Sequence, residues 1–344
     1  MGRASAWSMI VRAAFGMLCM AGVAAAQDVV TYDGVCDASA GVALDDTHFV
    51  MADNNTNALR VYGFKGGKVS QPPFDLENYL GIERDDDGKV KEADIEAAAA
   101  IGKRIWWITS HGRNNKGNVK KERFRLFATD VSESGGQYTF EPVGTAYSEL
   151  MEMILRRELY KKAGLEEAEP SKPEEGGINI EGLAEAPDNG LYLGLRSPVG
   201  ARGAMIIPIL KPENVLKGKK LKLDAPIYLE LGGRGIRSLE KVGDHYLVIA
   251  GPAGNEGAFS LYRWNGKSDA AMKLKKIRDF PSGDNLKPES VFALIDSQDA
   301  DDVYVLSDDG DRFKELDSQG KKCEDVDNAA NKHFRGFREN SAKP

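Results

Sequence analysis

One hairpin recurs five times along this chain. The copies begin DASAGVALDD at Asp37, DIEAAAAIGK at Asp94, NIEGLAEAPDNG at Asn179, GIRSLEKVGD at Gly235 and KPESVFALID at Lys287. Each has a polar start, a short apolar run, a turn and a second apolar run. The second runs are HFVMAD, RIWWITSH, LYLGLRS, HYLVIAG and DVYVLSDDG. Regular self-similarity of this kind marks a repeat architecture, and four-stranded units at roughly fifty-residue spacing predict a β-propeller.

The remaining strands can be filled in. LRVYGF and the stretch to FDL follow the first hairpin, RFRLFATDV and QYTFEPV the second, AMIIPIL and PIYLEL the third, and FSLYRW and LKKIRDF the fourth. RFKELDS and CEDV follow the fifth. These runs mix β-branched and aromatic residues between Gly, Asp, Asn and Pro turns. The predicted fold class is therefore all-β, a five-bladed β-propeller. The six-bladed alternative needs a further repeat that the length does not accommodate. The run DVVTY near the N-terminus is predicted to pair into the last blade.

The third positions of the repeats are Ser39, Glu96, Glu181, Arg237 and Glu289, separated by 57, 85, 56 and 52 residues. The long interval predicts an insert at about 146–177. Within it, Tyr147 to Lys162 has apolar Leu150, Ile154 and Leu155 between charges, which reads as an amphipathic helix with Ser148 as N-cap and Gly164 as stop. EEAEPSKPEEGG then reads as a flexible linker. The helix suits either a lid over the channel or a rim element without function.

The first 26 residues have the form of a secretory signal. Arg3 and Arg12 are positive, Ala13 to Val23 is apolar and small, and Ala24-Ala25-Ala26 offers a cleavage site. The mature chain is expected to be exported, periplasmic or extracellular, with no later membrane span. It would form a single domain over 27–335 and a polar tail over 336–344. Cys36 and Cys323 are the cysteines left after cleavage, and an even count in an exported chain predicts a disulfide. Such a bond would clasp the first blade to the last. The net charge of −7 becomes −9 once Arg3 and Arg12 leave with the signal. That acidity argues against nucleic acid and anionic membranes as partners. A monomer is expected.

Hairpin topology brings the third position of each repeat to the same sheet edge as the end of the second strand. This predicts Ser39 near Asp53, Glu96 near His111, Glu181 near Arg196 and Glu289 near Asp308, with Arg237 as the counterpart in the fourth blade. All five edges would converge on one mouth of the channel, within reach of Asp37, Asp94 and Asn179. Two outcomes follow. Unpaired carboxylates at Asp37, Asp53, Glu96, Glu181 and Glu289 would bind a cation, for which oxygen-rich rings suit calcium, or one would stay protonated. Alternatively they pair with Arg196, Arg237, Arg113 or His111, and such networks are often purely structural. A channel-mouth site would be reported by Glu181→Ala, expected to abolish binding without unfolding the chain.

Other motifs are weaker. SHGRN at Ser110 to Asn114 suits an anion, and GGRGIR suits an anion nest or a glycine turn. His48, His111, His245 and His333 are too scattered for a zinc motif. Trp106 and Trp107 alternate across a strand, so at least one belongs to the core.

At NIEGLA, GGRGIRS, ADIEAAAAIG…WWITSHGRN and LSDDG, from about Asp37 to Asp309, the chain resembles the bacterial family called domain of unknown function 3616. The resemblance implies an exported propeller and brings no activity with it. The D-I-E-G-like turn is also similar to one in the esterase-like phytase propellers, although Glu96 is followed by Ala97 and not by Gly. Three functions fit these features. The first is binding of a small ligand or divalent cation at a mouth lined by Glu96, His111, Arg113, Glu181, Arg196, Arg237, Glu289 and Asp308. The second is metal-assisted hydrolysis of phosphoester, ester or glycosidic bonds, with Glu181 or Glu96 as general base. The third is a protein-interaction platform.

Overall fold

The sheet that the chain enters first is the one it completes last. In the computed structural model, residues 28–342 are described apart from 270, 282–284, 296–300, 311, 313–322, 324–325 and 327–330. The signal-like segment lies outside them. Strand β1 (Val30–Asp33) is laid down first but belongs to the final blade. Blade 1 then forms from β2 (Ala38–Ala43), β3 (His48–Asp53), β4 (Ala58–Gly63) and β5 (Phe74–Asp75). Blade 2 forms from β6 (Ile95–Ile101), β7 (Arg104–Thr109), β8 (Leu126–Ser134) and β9 (Gln137–Pro142). Blade 3 has β10 (Asn179–Ala186), β11 (Gly190–Gly200) and β12 (Gly203–Leu210), with β13 (Lys222–Leu223) and β14 (Ile227–Leu229) both pairing β12. Blade 4 has β15 (Gly235–Val242), β16 (His245–Gly251), β17 (Ser260–Trp264) and β18 (Leu274–Asp279). Blade 5 starts with β19 (Pro288–Ala293) and β20 (Asp302–Ser307).

Blade 5 is completed from both ends of the chain. Its third strand is β21 (His333–Asn340) and its fourth is β1, paired from Val30↔Gly336 to Asp33↔His333. The N-terminal run thus closes the ring as its sequence predicts. The third strand differs from expectation: RFKELDS lies outside the described residues except for Arg312, and β21 runs into the segment expected as a polar tail. Phe334 and Phe337, an odd number of positions apart, face opposite blade interfaces. Cys36 and Cys323 form the expected disulfide, with Cα atoms 6.2 Å apart.

The first strands of the five blades stand side by side in a ring, in the order β2, β6, β10, β15, β19 and back to β2. Five sheets, not six, surround the axis. Inner strands are buried on both faces, because each face of a blade packs on a neighbour. The core is accordingly divided into five clusters, one per interface between blades. Trp106 packs toward blade 3 and Trp107 toward blade 1, so period-two alternation sends consecutive tryptophans to opposite interfaces. Both are core. The interface between blades 5 and 1 is aromatic, with Tyr32, Phe49, Tyr62, Phe292, Tyr304 and Phe334 in one cluster. The Tyr32 and Tyr304 hydroxyls lie 2.6 Å apart there.

In every blade the inner hairpin carries a β-bulge, and the bulged residue is the third of the repeat. Pairing passes from Ala38↔Asp53 to Ala40↔Ala52, which leaves Ser39 unpaired. The same slip isolates Glu96, Glu181, Arg237 and Glu289. A bulge bends its strand and re-aims one side chain. Here it turns that side chain out of the blade interface and toward the axis.

The insert is not one helix. It breaks into short helices at Leu150–Leu155, Glu158–Lys161 and Leu165–Ala168, with a 3-10 turn at Pro173–Glu175. Glu149 takes the N-cap position in place of Ser148. The expected helix breaks at Arg157, whose ψ of 115° is extended, and the chain turns again at Gly164, whose φ of 92° is left-handed. The expected linker is ordered, because Leu165, Ala168 and Pro173 are buried. Leu150, Met151, Ile154 and Tyr160 join the core between blades 2 and 3. Among the described residues, no helix is long and apolar enough to cross a membrane.

Candidate functional site

The bulges build a charged ring at one end of the axis. Register identifies a second ring at the ends of the second strands. The residue following the bulge-closing pair is Asn54 in blade 1, Ser110 in blade 2, Arg196 in blade 3 and Asp308 in blade 5. All four line cavities at this mouth. An inner chamber of about 100 Å³ is lined by Glu96, Glu181, Arg196, Arg237, Glu289 and Asp308, among others. Above it, toward blade 2 and the insert, opens a cavity of about 430 Å³. Asn54, Glu96 and Arg196 line both.

The inner chamber is organised by two arginines. Arg196 Nη1 donates to Glu181 Oε1 at 3.0 Å, and its other nitrogens donate to the Ala253 and Gly254 carbonyls at 3.0 and 2.8 Å. Asn179 Nδ2 donates to the same Glu181 oxygen at 3.0 Å. Arg237 Nε stands 2.9 Å from Glu181 Oε2, close enough for an ion pair but poorly aligned for a hydrogen bond. Arg237 also pairs with Glu289. Asn179, Glu181, Arg196, Arg237 and Glu289 are all buried. Of the two outcomes open to the acidic ring, pairing with arginine holds for Glu181 and Glu289.

Glu96 differs. It is 7% exposed, lines both cavities, and makes no hydrogen bond or ion pair with the described residues. Burial pushes its carboxyl well above the usual carboxylate range, and Asp94 and Glu181 push the same way against the weaker pull of Arg237 and Arg196. Asp94, two residues earlier on the same edge, is ion-paired to Arg123 at 2.8 Å. Two more acceptors are orphaned here: the Oδ1 atoms of Asn54 and Asn179 are buried without a partner.

Several expected residues sit elsewhere. His111 does not line the mouth. Its Nδ1 lies 2.9 Å from the Thr109 carbonyl and its ring packs edge-on against Phe124. Burial pushes the imidazole down to about 4, so it is neutral at physiological pH. Arg113 lines the outer cavity but is tied to the insert, with Nη2 to both Glu169 carboxylate oxygens at 3.0 and 3.2 Å and Nε to its carbonyl at 2.8 Å. Pro173 and Glu174 of the insert complete that wall. The insert packs into the core between blades 2 and 3 and supplies part of the cavity wall.

Of the five acids expected as metal ligands, Glu96, Glu181 and Glu289 line the inner chamber, whereas Asp37 and Asp53 do not. Asp53 bonds Arg60 and Thr56 at 2.7 Å each, and Asp37 accepts from the Asn55 amide. Among the described residues, no group of three or more His, Cys, Asp or Glu side chains is placed to hold a metal ion. Asn54, Arg123, Pro173 and Glu174 are site residues that the sequence did not flag. Asn54 was within reach of the same edge argument, one position past Asp53.

A family model described as "Protein of unknown function (DUF3616)" matches residues 146–319. That span runs from the insert through blades 3 and 4 into blade 5. The chain belongs to the DUF3616 family. No curated protein matches it. Among solved structures, this DUF3616 chain is similar to a putative oxidoreductase (glucose dehydrogenase) from Thermus thermophilus, at TM-score 0.42 and 11% identity over 91% of this chain and 100% of that one. It is similar to the PQQ-bound aldose sugar dehydrogenase of Streptomyces coelicolor, at TM-score 0.42 and 12% identity over 91% and 99%. It is also similar to the glutaminyl cyclase of Myxococcus xanthus, at TM-score 0.40 and 11% identity over 80% and 88%. At these scores and identities they carry nothing about the chemistry of the DUF3616 mouth.

Proposed function

We propose that this protein is an exported binding propeller that takes a small polar ligand into the cavity at its channel mouth, with Glu96 at the floor. The observation that carries this is Glu96 itself. Every other acid of the inner bulge ring is neutralised by an arginine, as a structural network requires. An unpartnered carboxyl under an open cavity contributes nothing to stability, since burying a polar group without a partner costs free energy. Ligand pockets of several hundred Å³ with a few convergent polar groups and a perturbed titratable residue are the ordinary form of a binding site. The disulfide supports export into an oxidising compartment.

The test is a thermal-shift screen of small polar molecules against the wild-type protein and Glu96→Gln. A ligand that raises the wild-type melting temperature but not that of the variant supports the proposal. Shifts that ignore the substitution, or none across the panel, overturn it.

One observation favours a hydrolytic role for the same cavity. Asp94 and Glu96 both line it, one ion-paired and the other unpaired and pushed upward by burial. Carboxyl groups whose environments differ in this way serve as base and acid in hydrolysis of ester, phosphoester or glycosidic bonds. Release of p-nitrophenol from the corresponding aryl substrates, lost in both Asp94→Asn and Glu96→Gln, would establish it.

A further inference from the structure

The unpaired groups at the cavity floor share one chemical character. Glu96 is more than nine-tenths buried and unpartnered. Asn179 is 4% exposed, and its amide nitrogen is committed to Glu181, so its orphaned atom is the carbonyl oxygen. The orphaned atom of Asn54 is likewise Oδ1. All three line the outer cavity. With Glu96 ionised, these are three acceptors without a donor, a socket for a donor-only group, and an ammonium carries three donors and no acceptor.

Charge points the same way. The inner chamber is lined by four carboxyls (Glu96, Glu181, Glu289 and Asp308) and three cations (Arg196, Arg237 and Lys287). It balances with one proton on the acids or with one added positive charge. Asp94, from the same strand as Glu96, is already balanced by Arg123. A metal ion is a poorer fit, since among the described residues no three His, Cys, Asp or Glu side chains are grouped to hold one.

We propose that the cavity floor receives the primary ammonium group of a small organic cation, with Glu96 as counter-ion and the Asn54 and Asn179 carbonyl oxygens as acceptors. This rests on the cavity being the ligand site and adds the chemical class of the ligand. The ligand's positive charge pairs with the Glu96 carboxylate, so affinity falls as pH is lowered and protons compete for it.

The probes are ethanolamine and putrescine, with ethylene glycol as the neutral counterpart of ethanolamine, glycolate as the anionic one, and calcium and potassium chlorides as metal-ion controls. Calorimetric titration of the full chain is expected to show amine binding that weakens about tenfold or more in Glu96→Gln, because a charge-assisted hydrogen bond is lost. Asn54→Asp, which adds a carboxylate to the socket, is expected to strengthen it about tenfold. That gain separates the socket from any folding defect in Glu96→Gln. Glycol or glycolate binding that depends on Glu96, without amine binding, overturns the ammonium assignment and leaves the cavity as a site. Calcium or potassium binding in place of the amines overturns it in favour of a metal ion. Binding by none of the probes overturns both the ammonium assignment and the ligand site.

Discussion

Glu96 and Glu181 occupy the same bulge in adjacent blades, yet Glu181 is ion-paired with two arginines and Glu96 with none. Register shows why. The strand-end position that holds Arg196 beside Glu181 holds Ser110 beside Glu96. Arg237 reaches Glu181 and Glu289, its neighbours on either side, and is consumed by them. One acid in the ring is therefore left over, and it faces the cavity.

Glu181→Ala should destabilise the protein as well as affect binding. Its carboxylate balances two buried guanidinium groups, and removing one partner of a buried ion pair typically costs about 3–5 kcal/mol. Chemical denaturation measures this directly. A loss below about 1 kcal/mol would mean that water reaches Arg196 and Arg237. The sequence-based expectation that this substitution leaves folding intact is revised accordingly.

Gly235→Ala should be disruptive for lack of space. A Cβ there would lie 1.8 Å from the carbonyl oxygen of Arg196, so the backbones of blades 3 and 4 must separate. Overpacking of this kind costs about 1–3 kcal/mol, and the shift also moves the Arg196 guanidinium. The midpoint of urea denaturation is expected to fall. An unchanged midpoint would show that the close approach is not kept in solution. The GGRGIR motif thus includes a contact point between blades, besides the left-handed turn at Gly232 and Gly233.

Cys36→Ser should lower stability by about 2–5 kcal/mol, the usual loss for a native disulfide. The bond spans 287 residues and adds a covalent tie to the β1–β21 closure. Reduction of the wild-type protein should reproduce the effect, and reduction of Cys36→Ser should add nothing. Equal midpoints for oxidised and reduced protein would make the hydrogen-bonded closure sufficient.

Glu240 predicts an alkaline loss of stability. Its carboxyl accepts the Ala293 amide at 3.1 Å across the interface of blades 4 and 5, and burial pushes it up to about 8. Glu185 and Lys241, paired at 3.0 Å, are its charged neighbours. A carboxyl raised on folding holds a proton that the unfolded chain has lost. Its contribution is full below about pH 4.5, declines as pH rises, and is gone above about pH 8. Glu240→Gln should flatten the melting temperature between those limits. An identical slope in wild type and variant would assign the decline to other groups, of which Glu96 is the first to examine.

The repeat alone determined the architecture. Period-two alternation and turn chemistry are local properties, so five hairpins, the blade count, the N-terminal closing strand and the disulfide could be read from residue order. The ring positions Glu96, Glu181, Arg237 and Glu289 were legible for the same reason. Register was decided by tertiary structure. The bulge at each third position sets which neighbour faces the axis, and a slip of one residue turns a side chain to the other face. Asn54 and Ser110 therefore stand at the mouth, while Asp53 bonds Arg60 and His111 packs on Phe124. Which acid is left without an arginine was also invisible in the sequence. It depends on which carboxylates Arg196 and Arg237 reach across blade boundaries.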